Sequence, residues 1–381
     1  MTYNSTKKKK SKSHKETKTG NFFLELARII LGLVFIFSGF VKAIDPLGSA
    51  YKIEDYLIAF GHPFSYFIFL SLPFAILLST FELTLGFNLI LKIYPRITII
   101  LTAIFLTALT ALTLYLALKN PITDCGCFGD AIILTNWQTF YKNLVLISLA
   151  VLLLIYRKRF TPLLLPHIEP FALVIFALLG IVISIYCYHH LPLIDFLPYK
   201  VGVNIPEAMH IPEGAKTDQY ETTFIYEKNG QRKEFTLENY PKDDSTWVFI
   251  DQKTTLKSIG YHPPIHDFVI FDTQDEDITD IILQENNSAY LLIMYDVNKA
   301  SKVGAKKAEK VYQKAQSTNS FFCAVTASSD EEIQKFVQAT GVTYPFCKAD
   351  PIMLKTIVRA NPGLVLIKNG TIMGKWNWRD F

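Results

Sequence analysis

At 381 residues the chain is long enough for more than one domain, and half of it is hydrophobic against 19% charged, which argues against a wholly water-soluble protein. The net charge of +4 is small and unevenly placed, with seven lysines in the first twenty residues, so it reads as a local basic tail and excludes no fold. The long apolar runs stop near His189-His190-Leu191-Pro192, which separates a membrane-type half from a mixed globular half.

Residues 1–21 hold Lys7 through Lys18 among Ser and Thr, with almost no apolar side chains. Such a segment cannot bury enough surface to fold, so a disordered basic arm is expected. Beside a membrane span, a basic tail is a topology signal and a contact for anionic membrane lipids, and no nucleic-acid partner is expected. The apolar run 22–44 is too long for a signal-peptide core and no small-residue cleavage site follows, so the first span is expected to be retained.

A bilayer core needs about 20 apolar residues per helix. Five runs qualify: 22–44, 65–91, 97–118, 138–156 and 170–190. Spans two and three are joined by a short basic loop (Lys92, Arg96), as are spans four and five (Arg157, Lys158, Arg159). The loops after spans one and three are longer and carry acids: Asp45, Glu54 and Asp55 in one, Asp124 and Asp130 in the other. Placing Lys and Arg inside puts the N-terminus in the cytoplasm, and five spans then put the C-terminal half on the far side. The expected location is a bacterial inner membrane with a periplasmic C-terminal domain. Pro73 predicts a kink in span two. Glu82 stands in the middle of the same span, where an acid is costly. It is either a functional acid or a protonated group hydrogen-bonded to a neighbouring helix.

The densest chemical signal is Asp124-Cys125-Gly126-Cys127-Phe128-Gly129-Asp130, on the loop assigned to the outside. Two thiols one glycine apart approach bonding distance only in a turn, which Gly126 permits. A bridge so constrained is readily reduced, and outside the cytoplasm such a pair meets oxidants. Three readings stand: a redox pair, a small structural bridge, or half of a metal site with His62, Cys187 or His189. A lone C-x-C lacks the second ligand pair of a zinc site, so no metal is assigned.

Arg28-Ile29-Ile30-Leu31-Gly32-Leu33-Val34-Phe35, Ser38-Gly39-Phe40-Val41-Lys42 and Asp45-Pro46 resemble the opening of DoxX-like proteins. Together with Glu82, Gly86 and the CGCFGD loop, the segment resembles the MauE (methylamine utilisation) branch of that superfamily over about residues 22–157. That resemblance implies a four-helix membrane core that serves maturation of a disulfide-rich partner beside a thioredoxin-like protein. It implies envelope thiol-disulfide handling for Cys125 and Cys127, and it does not imply methylamine as a substrate.

In the C-terminal half, Thr222-Thr223-Phe224-Ile225-Tyr226 and Glu234-Phe235-Thr236-Leu237 flank Asn229-Gly230 and predict a hairpin with a loop longer than two residues. Further on, Tyr290–Tyr295 and Phe321–Val325 read as buried strands, and Ala308, Val311, Tyr312 and Ala315 share a helix face. Ser329 and Glu332 form a capping box before a helix that Gly341 stops. Leu364–Ile367 and Thr371–Met373 form a last hairpin about Asn369-Gly370.

This order, with Asn361-Pro362 before the hairpin, resembles the thioredoxin-like fold over about residues 264–381, Pro362 standing where that family has its cis-proline. The family carries C-x-x-C after its first core strand; here Tyr295–Ser301 contains no cysteine. The resemblance therefore implies recognition of extended peptides around Asn361 and Pro362 without catalysis. Cys323 is expected to be an inert core thiol and Cys347 to lie near a strand end.

The expected architecture is an α-helical transmembrane bundle followed by an α/β thioredoxin-like domain. Its parts are the arm (1–21), a DoxX-like four-helix domain (22–157), a fifth helix (158–191), a β-rich connector (192–263) and the thioredoxin-like domain (264–381). The expected function is thiol-disulfide exchange through Cys125 and Cys127, with Glu82 assisting a proton step and an envelope client or thioredoxin-like protein as partner. No cofactor motif is evident; a quinone is compatible with an intramembrane acid but has no residue pattern behind it. The alternatives are a non-catalytic scaffold with a stapled Cys loop and a transporter or metal-handling protein.

Overall fold

The computed structural model describes residues 3–381 apart from Thr123, Asp243 and Ile259 and from the side chains of residues 3–20 and Leu256; the side chains of the basic arm lie outside what is described but for Asn21. Five helices are long and apolar enough to cross a membrane, spanning Asn21–Ile44, Phe64–Leu91, Pro95–Lys119, Asn136–Ile155 and Glu169–His189. They belong to α1 (Tyr3–Ile44), α3 (Ser71–Leu91), α4 (Pro95–Lys119), α5 (Asn136–Ile155) and α6 (Glu169–His189). The expected spans agree with these to within two residues at either end.

The loop expected after span one is instead a helix, α2 (Pro46–Ala59). Asp45 caps it, its carboxylate accepting the Gly48 N–H at 2.9 Å, and Pro46 sits in the first turn where its missing donor costs nothing. Pro73 makes no mid-helix kink. Residues Phe64–Leu70 form a 3₁₀ helix and α3 begins at Ser71, so Pro73 falls in the first turn.

Close approach of α1 to α3 rests on glycine. A Cβ on Gly39 would lie 2.4 Å from the Leu83 backbone N, and one on Gly86 would lie 2.6 Å from that of Ile36. Small residues at such a crossing let backbones meet where no hydrophobic force drives helices together. Gly39→Ala is expected to push the two helices apart and cost about 2–3 kcal/mol, read as a lower unfolding midpoint of the detergent-solubilised protein. In α4 the hydroxyls of Thr102, Thr107 and Thr110 each donate to the carbonyl four residues earlier, so polar side chains are satisfied within the apolar helix.

After α6 come the one-turn helix α7 (Ile205–Met209) and an antiparallel sheet of β1 (Gln219–Lys228), β2 (Gln231–Thr236) and β3 (Val248–Ser258), in the order β2-β1-β3. The hairpin loop is two residues, not more, because both strands run closer to the turn than their apolar segments suggest. Asn229 and Gly230 both take positive φ (54° and 78°), as a tight two-residue turn requires.

The last domain has β4 (Ala289–Met294), β5 (Phe321–Thr326), β6 (Phe346–Lys348), β7 (Gly363–Lys368) and β8 (Thr371–Asn377), in the order β6-β5-β4-β7-β8. β4, β5 and β6 run parallel, while β7 and β8 are antiparallel additions. Helices α9 (Lys302–Ser317) and α10 (Asp330–Thr340) cover one face; α8 (Thr279–Leu283) and α11 (Pro351–Ile357) cover the other. Alternate residues of β4 enter the two cores, Leu291 and Ile293 on one side and Leu292 and Met294 on the other. The Ser329–Glu332 capping box is present, and Gly341 ends α10 at φ 71°. The order of elements is consistent with the thioredoxin-like expectation, and the Asn361–Pro362 bond is cis.

Helix α11 was not legible in the sequence, and of β6 only a strand end near Cys347 was expected. Helix α11 matters, because it carries Lys355 and leads into Arg359, which meet the bundle.

Candidate functional site

The Cys loop folds back at the end of the bundle that bears the soluble domain, pinned by the Asp124–Thr135 bridge and the Thr135–Gln138 capping box of α5. Asp124 shapes the turn: one carboxylate oxygen accepts the Gly126 N–H at 3.0 Å and the other pairs with Lys52 at 2.7 Å. Gly126 takes φ 63°, a conformation in which any side chain would be strained. Tyr56, from α2, donates its hydroxyl proton to the Cys125 carbonyl at 2.7 Å. The unforeseen α2 is thus a wall of the site.

This turn brings the two thiols together. Both cysteines are free, with Sγ atoms 3.1 Å apart, and closing a disulfide needs about 1 Å of further movement. Their protons are unequal. With Cys125 as donor, its bond to Cys127, together with burial, pushes the Cys125 thiol up. Cys127 accepts that bond, which, helped by the charges of Lys142 and Lys42 and opposed by burial, brings it down to about 6. Of the two thiols, Cys127 is therefore the one on which a negative charge is favoured.

Glu82 is not a solitary acid. The ammonium of Lys42 lies 2.7 and 2.8 Å from its two carboxylate oxygens, an ion pair with side chains 8% and 2% exposed. Ser38 Oγ stands 2.7 Å from Glu82 and 2.8 Å from the Cys127 carbonyl, with one proton for one acceptor at a time. The pair is thereby tied to the backbone of the Cys loop. Sequence reasoning missed Lys42 as the partner, although Ser38 and Lys42 one helical turn apart in an apolar span are the signal. Ser38, Lys42, Glu82, Cys127, Phe128 and Lys142 all border one cavity of about 30 Å³, room for a water or two.

The C-terminal domain docks on the same end. Arg359, two residues beyond the end of α11 and 7% exposed, pairs with Asp45 at 2.9 Å and with Asp130 of the Cys loop at 2.8 Å. Tyr51 of α2 meets Tyr295 edge to face, and Lys355 lies 4.6 Å above the Tyr51 ring. Two cavities flank Arg359: one of about 230 Å³ bordered by Gly126, Gly129, Lys52 and Asp130, the other of about 260 Å³ bordered by Tyr295, Asn361 and Trp378. Asn361 donates to the Asp296 carbonyl at 2.8 Å, and its Oδ1 is buried without a partner. Pro362 itself is buried, with Gly304 and Trp378 packed about it. No cysteine stands at Tyr295–Ser301, and Cys323 and Cys347 are both buried in the core, Cys347 included. Among the described residues, no group of three or more His, Cys, Asp or Glu side chains is placed to hold a metal ion.

Residues 20–156 match the family described as "Methylamine utilisation protein MauE", and residues 220–258 match a domain of unknown function (DUF8463). The chain is 30% identical over 131 residues to Protein TlpB of Flavobacterium psychrophilum, a match covering 33% of this chain and 35% of that protein. No solved structure matches. The chain is a multi-pass membrane protein whose bundle is similar to MauE and which carries a sheet-containing domain beyond it.

Proposed function

We propose that this chain is a thiol-disulfide exchange component of the bacterial inner membrane, with its N-terminus cytoplasmic and its C-terminal domain periplasmic. The observation that carries the reading is the pair of free thiols 3.1 Å apart on a glycine turn, one of them favoured as thiolate. Basic residues at the opposite end of the bundle support the orientation, and the bacterial source of the similar TlpB supports the compartment.

In the exchange, the Cys127 thiolate attacks one sulfur of a client disulfide, forming a mixed disulfide and releasing a client thiolate that takes up a proton. Cys125 then gives up its proton and attacks Cys127, closing the loop disulfide and releasing the second client sulfur as a thiol. Two electrons pass from the loop to the client; the reverse sequence oxidises a client dithiol. A client reaches the loop through the cavity bordered by Gly126 and Gly129, while Asn361 and its neighbours in the adjoining cavity recognise it. The client is an envelope protein or a thioredoxin-like partner.

The test is trapping in the full-length chain in membranes. Cys125→Ser, which leaves the attacking sulfur without its resolving partner, is expected to accumulate a mixed disulfide visible on non-reducing gels and identified by mass spectrometry. The double variant with Cys127→Ser should trap nothing. If Cys125→Ser traps no more than the double variant, and the thiols of envelope proteins are unchanged in both, the exchange reading fails.

A further inference from the structure

Charge in the bundle cavity is unbalanced. Lys42 and Glu82 cancel one another at 2.7 Å, and Ser38 and Asn143 are neutral. Asn143 is also turned toward α4, donating to Thr113 at 3.3 Å. That leaves Lys142, from the second turn of α5, which among the described residues has no carboxylate within ion-pairing distance. Its ammonium is held 4.1 Å above the ring of Phe128, the residue after Cys127. A half-buried cation bordering the same cavity as a thiol favours the charged form of that thiol. Of the groups bordering that cavity, the Cys127 thiol is the one that can still supply a negative charge.

We propose that Lys142 is the counter-ion of the Cys127 thiolate, a positioning residue that makes Cys127 the attacking sulfur and Cys125 the resolving one. The inference rests on the exchange reading and assigns the roles within it. The other charged or titratable groups about the pair are accounted for. Lys42 and Glu82 face Cys127 from α1 and α3 as a neutral pair. Tyr56 faces the loop from α2 and bonds the Cys125 carbonyl, and Asp124 is neutralised by Lys52. Phe128 serves the arrangement by fixing the ammonium over its face without competing for the charge, which a carboxylate in its place would do.

The experiment is the pH dependence of alkylation by iodoacetamide in the reduced, full-length protein in nanodiscs, with each cysteine followed separately by mass spectrometry. In the unmodified chain the Cys127 rate should rise with a midpoint near 6 and be lost as pH falls below it. Lys142→Gln is expected to move that midpoint up by about one unit, slowing Cys127 about fivefold at pH 6, while Cys125 labelling stays the same. Lys142→Arg keeps a cation above Phe128 and should keep the low midpoint, so a Gln variant that folds poorly does not decide the matter alone. The proposal is overturned if the Gln profile superimposes on the unmodified one, or if Arg shifts it as far as Gln does. A client trapped by Cys125→Ser together with an unmoved midpoint sinks only the counter-ion. A moved midpoint with no client trapped sinks the exchange reading and leaves the counter-ion standing.

Discussion

Glu82→Gln is expected to cost about 3–5 kcal/mol of folding stability, because it leaves the Lys42 ammonium buried without its counter-charge. Both side chains are almost fully enclosed, at 8% and 2% exposure, so water cannot replace the lost partner. Lys42→Met should cost a comparable amount for the opposite reason, stranding the carboxylate. The double variant Lys42→Met with Glu82→Met should recover most of the loss, since an apolar pair has no charge to strand. Thermal unfolding of the three variants beside the unmodified protein in one detergent measures this; midpoints equal to the unmodified one would show that the ion pair contributes nothing. The effect should reach the site as well. Ser38 joins the pair to the Cys127 carbonyl at 2.8 Å, so the single variants should also broaden the range of conformations open to the Cys loop.

Arg359→Gln is expected to weaken docking of the soluble domain by about 3 kcal/mol, roughly a hundredfold in the docked-to-undocked ratio. The guanidinium holds Asp45 of the α2 cap and Asp130 of the Cys loop at once, and removing it leaves two carboxylates facing one buried position. Burial already pushes the Asp130 carboxyl up, with the Arg359 charge opposing it. Lys355→Ala at the neighbouring ring contact should cost about 0.5–1 kcal/mol. Hydrogen exchange along Pro46–Ala59 reports the change, and Cys125 alkylation should quicken as the cleft opens. If neither changes in Arg359→Gln, the clamp is not what holds the domain down. Both domains border the cavity beside Gly126, so docking sets how open that cavity is.

Much of the architecture was legible because its causes are local. Apolar runs of about 20 residues give spans whatever their neighbours do, and the Asn-Gly turns, the Ser329–Glu332 box and Gly341 act within a few residues. Where local signals misled, a neighbouring element explains the difference. Pro73 reads as a kink within one long apolar run, yet the 3₁₀ turn at Phe64–Leu70 moves the start of α3 to Ser71. Asp45-Pro46 is a sound helix start that the acidic character of the following residues hid.

By itself, the sequence determined that five segments are long and apolar enough to cross a membrane, that a sheet-containing region follows, and that the densest cluster of reactive side chains is Asp124–Asp130. It also marked Glu82 as an anomaly. Only the tertiary structure decided what that loop can do. The Sγ–Sγ distance depends on the positive φ of Gly126 and on Asp124, Tyr56 and Lys52, which come from two different elements. Glu82 and Lys42 meet because Gly39 and Gly86 let two helices touch, and Arg359 finds Asp130 across 229 residues of chain. Contacts of that kind carry no periodicity. They are fixed by how helices and sheet pack in space, which is why the cysteine loop was readable as a motif and its two unequal thiols were not.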